Sequence, residues 1–165
     1  MPRIEHTDFY SHILGMSLKV EVTGHFGYPM IMFPTSQGDY TQNHDFKLNE
    51  SLNWLVENGK VKLYNIETID KFSFYDKNIH PSERIRNYEL YMQFLKQEFV
   101  PYIQRLHSVH RVADAGASFG GYHAANFAFR LPCVLTHRFC QYGAFSIRNF
   151  MDGFSNDLVY YNCPR

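Results

Sequence analysis

Between Asp114 and His123 the chain reads Asp-Ala-Gly-Ala-Ser-Phe-Gly-Gly-Tyr-His, which sets Ser118 midway between Gly116 and Gly120 in a Gly-x-Ser-x-Gly pattern. A serine in this setting can attack a carbonyl carbon, provided that a sharp strand-to-helix turn holds its backbone. Side chains two residues before and after the serine would collide across that turn, so both positions call for glycine. The turn pushes the hydroxyl outward. It also aims the first amides of the following helix at the place where a negatively charged oxygen would develop. The Phe119 N–H is the expected first donor to that oxygen. The same residues have a plainer reading, in which Ser118 caps a helix starting near Gly120 and the glycines serve close packing.

With 10 Gly and 10 Ser in 165 residues, chance alone produces the pattern in about 4% of such chains, so its context must decide. Residues 111–115 read as a short strand, and 120–130 as a helix built on Ala124, Ala125, Phe127, Ala128 and Phe129 that ends at Pro132. Upstream, residues 17–22 alternate as a half-buried strand does, and 28–33 form an apolar run that suits a strand covered on both faces. The turn residues that follow, Pro34 to Asp39, make a second loop of interest, and Ser36 or Gln37 is the expected second oxyanion donor. A helix is predicted over 46–58, a strand over 61–66 and a further strand over 138–145. A long helix starts at Pro81, with apolar residues at spacings of three and four, and Pro101 should kink or split it. From residue 149 onward the tail is turn-rich.

Strands alternating with helices predict a three-layer α/β fold: a single domain over 1–165 with a mostly parallel sheet of about six strands and helices on both faces. Ligands then bind beyond the carboxyl ends of the strands, on the loops at 34–43 and 115–121.

Composition excludes other classes. Sixteen basic residues balance sixteen acidic ones, so the clustered positive charge that nucleic acid binding needs is missing. No apolar run is long enough to span a membrane. The N-terminus is polar, without a signal-like apolar stretch, and Cys133, Cys140 and Cys163 show no Cys-x-x-Cys spacing, so free thiols in a cytoplasmic protein are expected. Dinucleotide, P-loop and zinc-protease motifs are all missing, so no cofactor is expected. His107 and His110 lack a third ligand, and no metal site is expected there. Tyr122, Tyr40, Phe74 and Tyr75 are candidates to line an acyl pocket, although aromatic-rich loops usually pack onto the core.

The sequence resembles the esterase branch of the α/β-hydrolase superfamily, specifically the short esterases grouped with esterase D-like proteins. The residues that carry the resemblance are Phe33-Pro34-Thr35-Ser36, Asn78-Ile79-His80-Pro81 and the elbow running on through Tyr122-His123-Ala124-Ala125-Asn126-Phe127. Gly143-Ala144-Phe145 and the stretch from Asp157 to Pro164 complete it. The resemblance implies that Ser118 is the nucleophile of a serine hydrolase, that the Thr35–Gly38 loop helps form the oxyanion hole, and that a small carboxylic ester is the substrate.

That family orders its triad Ser, Asp, His, with the last two on loops after the final strands of an eight-stranded sheet. Here 47 residues follow Ser118, and none after His137 is a histidine. The chain is therefore expected to lack the family's C-terminal part and an orthodox acid and base. Asp152 and Asp157 lie downstream of Ser118, but before the family's acid position. His123 is the candidate stand-in base, and His25, His44 and His80 lie in or beside loops. The alternative is a non-catalytic hydrolase-like module that acts by binding. In either case an open sheet edge near 138–145 predicts a homodimer or another assembly that covers it.

Overall fold

The computed structural model describes residues 2–164. One sheet holds six strands, β1 (Ile4–Ser11), β2 (Met16–Thr23), β3 (Tyr28–Phe33), β4 (Val61–Ile66), β5 (Val112–Ala117) and β6 (Leu135–Gln141), in the order β1-β2-β4-β3-β5-β6. β1 and β2 run antiparallel to their neighbours, whereas β4, β3, β5 and β6 are mutually parallel. Phe33 pairs with Gly116 at the carboxyl ends of β3 and β5. The loops leaving these two strands therefore start side by side.

Helices cover both faces. Ile31 and Phe33 of β3 pack into the larger core with Ile85, Tyr88, Phe94, Phe99, Ile103 and Phe127. Met30 and Met32 face the other way, onto Leu63, Val56, Ala113 and Ala115. This two-sided burial explains why 30–33 is apolar without alternation.

The helix predicted over 46–58 is two short ones, α2 (Leu48–Ser51) and α3 (Asn53–Glu57), preceded by a separate short helix, α1 (Gln42–Asp45). The first break falls at Lys47, which is left-handed at φ 61°, a conformation that no α-helix continues through. The long helix runs as α4 (Pro81–Phe94), a π-helical turn at Leu95–Phe99 and α5 (Val100–His107). The widened turn leaves Pro101 in the first turn of α5, where its missing N–H costs little. α6 (Phe119–Arg130) follows the elbow.

Two elements depart from the sequence reading near the C-terminus. β6 begins three residues before the predicted strand and ends at Gln141 rather than at 145. The tail contains α7 (Asp157–Tyr161), capped by the Asn156 side chain. Beyond α7, buried Asn162 is tied to two other helices, α4 and α6. Its Oδ1 accepts from Asn126 and Arg130, its Nδ2 donates to Glu89, and its carbonyl accepts from the Tyr122 hydroxyl at 2.9 Å.

Candidate active site

Ser118 stands between β5 and α6 with φ 54° and ψ −120°, a conformation that a residue bearing a side chain adopts only under constraint. The constraint comes from both sides. Its N–H donates to the Gln141 carbonyl at 2.9 Å, and its own carbonyl accepts from Tyr122. The side chain is exposed, as a nucleophile's must be.

The flanking glycines are required by contact. A Cβ on Gly116 would lie 2.2 Å from the Gly120 carbonyl oxygen. One on Gly120 would lie 2.5 Å from the carbonyl oxygens of both Phe33 and Pro34. The spelling Gly-x-Ser-x-Gly thus records backbone packed on backbone across the turn and against the next loop.

Phe119 is the first residue of α6, so its N–H belongs to those that a helix leaves without an intrahelical acceptor. In the neighbouring loop, the Thr35 N–H donates to Gln42 Oε1 and the Gly38 N–H to the Thr35 carbonyl. Ser36 and Gln37, both exposed, lie between these two bonds, and among the described residues their N–H groups have no acceptor. Gln37 has a left-handed backbone, φ 54°.

His123 goes elsewhere. It is 1% exposed, with Nε2 3.0 Å from Asp70 Oδ1 and Nδ1 3.3 Å from the Tyr88 hydroxyl. Rings of Phe33, Tyr88, Phe119 and Tyr122 surround it. Neither oxygen of buried Asp70 receives a well-directed hydrogen bond, so the 3.0 Å approach is a close polar contact rather than a hydrogen bond. Both ring nitrogens of His123 thus face partners other than Ser118. Sequence reasoning missed Asp70, which carries no local signal and meets His123 only through the tertiary fold.

The other candidates also lie apart. His80 caps α4 through Nδ1, His44 lies 3.9 Å from the Glu21 carboxylate, and His25 sits in the turn before β3, at the opposite end of the strand from the Ser36 loop. Asp152 is held by Arg84 at 2.6 Å and by Lys77, and these two cations keep its carboxyl below the usual range. Asp157 lies in the first turn of α7. Phe74 and Tyr122 are fully buried in the core instead of lining a pocket. Among the described residues, no three His, Cys, Asp or Glu side chains are arranged to hold a metal.

Beneath the elbow, Asp114 on β5 is fully buried and neither of its oxygens has a hydrogen-bond partner. Burial pushes its carboxyl up to about 8, against the opposing pull of Arg138. On the opposite face of the sheet an apolar groove of about 550 Å³ runs beside β6, lined by Met30, Met32, Leu48, Leu52, Ala115 and Phe139 among others.

No family model matches the chain, and no curated protein does. Solved structures do. An S-formylglutathione hydrolase (FrmB) from Staphylococcus aureus superposes with a TM-score of 0.72 at 14% identity, covering 99% of this chain and 68% of that one. A ferulic acid esterase gives 0.71 at 16%, with coverage of 98% and 69%. FphF, a fluorophosphonate-binding serine hydrolase of Staphylococcus aureus, gives 0.67 at 16%, with coverage of 96% and 64%. The chain spans about two thirds of the length of these proteins. It has the α/β-hydrolase fold that these esterases and serine hydrolases share.

Proposed function

We propose that the chain is a serine hydrolase of small carboxylic esters, acting through an acyl-enzyme on Ser118. The observation that carries this reading is the exposed Ser118 at φ 54° and ψ −120°, held between Gly116 and Gly120 at the carboxyl end of β5. A helix cap needs no such strain, because a residue capping in the extended region does that work. In the reaction the Ser118 Oγ adds to the ester carbonyl carbon and its proton passes to a base. The carbonyl oxygen becomes an oxyanion facing the N–H groups of Phe119 and of Ser36 or Gln37. The ester C–O bond then breaks, and the alcohol leaves with that proton. Water hydrolyses the acyl-enzyme, releases the acid and restores the hydroxyl.

Among the described residues no histidine bonds to Ser118. The base in this reading is therefore contributed by a second subunit seated over the carboxyl ends of the strands. An oxyanion hole without a base still retains roughly a thousandfold rate enhancement over water. The test is intact-mass spectrometry after exposure to a fluorophosphonate, with Ser118→Ala alongside and a thermal melt of both. One stoichiometric adduct that disappears in the variant supports the reading; a folded protein that forms no adduct overturns it.

A second reading, a hydrolase-like binding or assembly module, is favoured by the β6 edge. That strand has a neighbour on one side only, Phe139 is 56% exposed, and the apolar groove lies alongside. Unpaired edges of this kind recruit further strands, and a homodimer covering this one fits either reading. Sedimentation equilibrium of the wild type and Phe139→Glu tests it: a dimer that the charge dissociates supports assembly at β6, and a wild-type monomer rejects it. No described helix is long and apolar enough to cross a membrane. The free thiols of Cys133, Cys140 and Cys163 are in keeping with a cytoplasmic location.

A further inference from the structure

The loop after β3 is shaped by a residue outside the elbow and outside the loop itself. Gln42, the first residue of α1, turns its side-chain amide back under the loop. Its Oε1 accepts two hydrogen bonds from one residue, from the Thr35 N–H at 2.6 Å and from the Thr35 hydroxyl at 2.9 Å. Only the carbonyl end of the amide can accept a backbone N–H, so chemistry fixes which way the group faces. Gly38 lies directly against it, and a Cβ there would stand 2.1 Å from Oε1 and 2.3 Å from Cδ. The loop closes over the Gln42 amide because residue 38 has no side chain.

From this geometry we infer that Gln42 is the positioning residue of the oxyanion loop: it consumes the Thr35 donors, pins the turn, and leaves the Ser36 and Gln37 amides facing outward beside Ser118. The inference rests on the hydrolase reading for its use, but not for its structure. Removing the acceptor frees Thr35, and its N–H then competes with the outward-facing amides for water and substrate. Gln42 touches no reacting atom and acts through the loop.

Two variants separate the acceptor from the bulk it fills. Gln42→Met keeps the volume and loses the acceptor, whereas Gln42→Glu keeps an acceptor for both Thr35 donors. The first readout is amide hydrogen exchange at Thr35 and Gly38, which is independent of catalysis. Protection is expected to fall at least about tenfold in Gln42→Met, at a scale typical of one lost bond, and to stay near wild type in Gln42→Glu. Unchanged protection in Gln42→Met overturns the inference. The second readout is the rate of fluorophosphonate labelling at Ser118, with kcat and KM on an activated acetate ester. A fall of about tenfold or more in the labelling rate and kcat, with KM little changed and Gln42→Glu restoring both, is expected where a positioned donor is lost. Loosened exchange with an unchanged labelling rate also overturns it. Failure of wild-type protein to label at all instead rejects the hydrolase reading, and the exchange data then decide the loop lock alone.

Discussion

Gly120 of the elbow helix rests directly against the carbonyl oxygen of Phe33, so closely that a Cβ would stand 2.5 Å from it. This contact joins the turn at Ser118 to the loop that faces it, with no side chain between them. The distance from Ser118 to the Ser36 loop is thereby set by backbone atoms, which cannot swing aside.

Gly120→Ala is accordingly expected to destabilise the fold by about 3 kcal/mol or more, the scale of overpacking against backbone that cannot yield. Gly116→Ala, with its Cβ 2.2 Å from the Gly120 carbonyl, should do the same. Urea denaturation of each variant measures this, and a loss under 1 kcal/mol would mean that the turn can open to admit a methyl group.

Ser118→Gly should stabilise the protein by about 1 kcal/mol, because glycine occupies φ 54°, ψ −120° without the steric cost that a Cβ incurs there. Ser118→Ala keeps the Cβ and should leave stability near wild type. The difference in melting temperature between the two variants reads out the strain held at Ser118.

Asp114 makes stability depend on pH in a defined direction. Its folded pKa, about 8, lies above the ordinary carboxyl value, so between roughly pH 4 and 8 the folded state binds more protons than the unfolded chain. Its contribution is complete at low pH and is lost as pH rises through 8, at up to about 1.4 kcal/mol per pH unit. Asp114→Asn should flatten this slope and be more stable than wild type at pH 8. Urea melts at pH 5 and pH 8 give the comparison, and an unchanged slope would move the titration to another group.

The Asp70–His123 contact should couple strongly. Removing either partner leaves the other buried without its polar neighbour, at a cost of about 1–3 kcal/mol. The double variant Asp70→Ala/His123→Ala should therefore lose less than the sum of the single losses, by at least about 1 kcal/mol. Additive losses would show that the two groups ignore each other.

Legibility in the sequence followed the range of the interactions. The Met30–Phe33 run, the elbow glycines and the apolar face of the long helix were readable because each signal lies within a few residues. The strand Ile4–Ser11 leaves no such signal, because it is an exposed edge strand whose polar residues carry no burial pattern. Leucine spacing predicts a continuous helix through Lys47 because such spacing cannot report a left-handed residue. The partners of His123, Asp70 and Tyr88, lie 53 and 35 residues away in the chain, so its place in the core could not be read from its position on α6. The hold of Gln42 on Thr35 spans only seven residues, yet a glutamine beside a turn has no signature that separates it from a solvated one.

The bonds gathered at Asn162 have a consequence for cooperativity. Short peripheral helices ordinarily open independently of the body. Here Asn162, just beyond α7, is bonded into α4 and α6, the second of which follows the elbow. The segment around α7 and the helix that follows Ser118 therefore belong to one unfolding unit, and α7 does not peel away without loosening the support beneath Ser118.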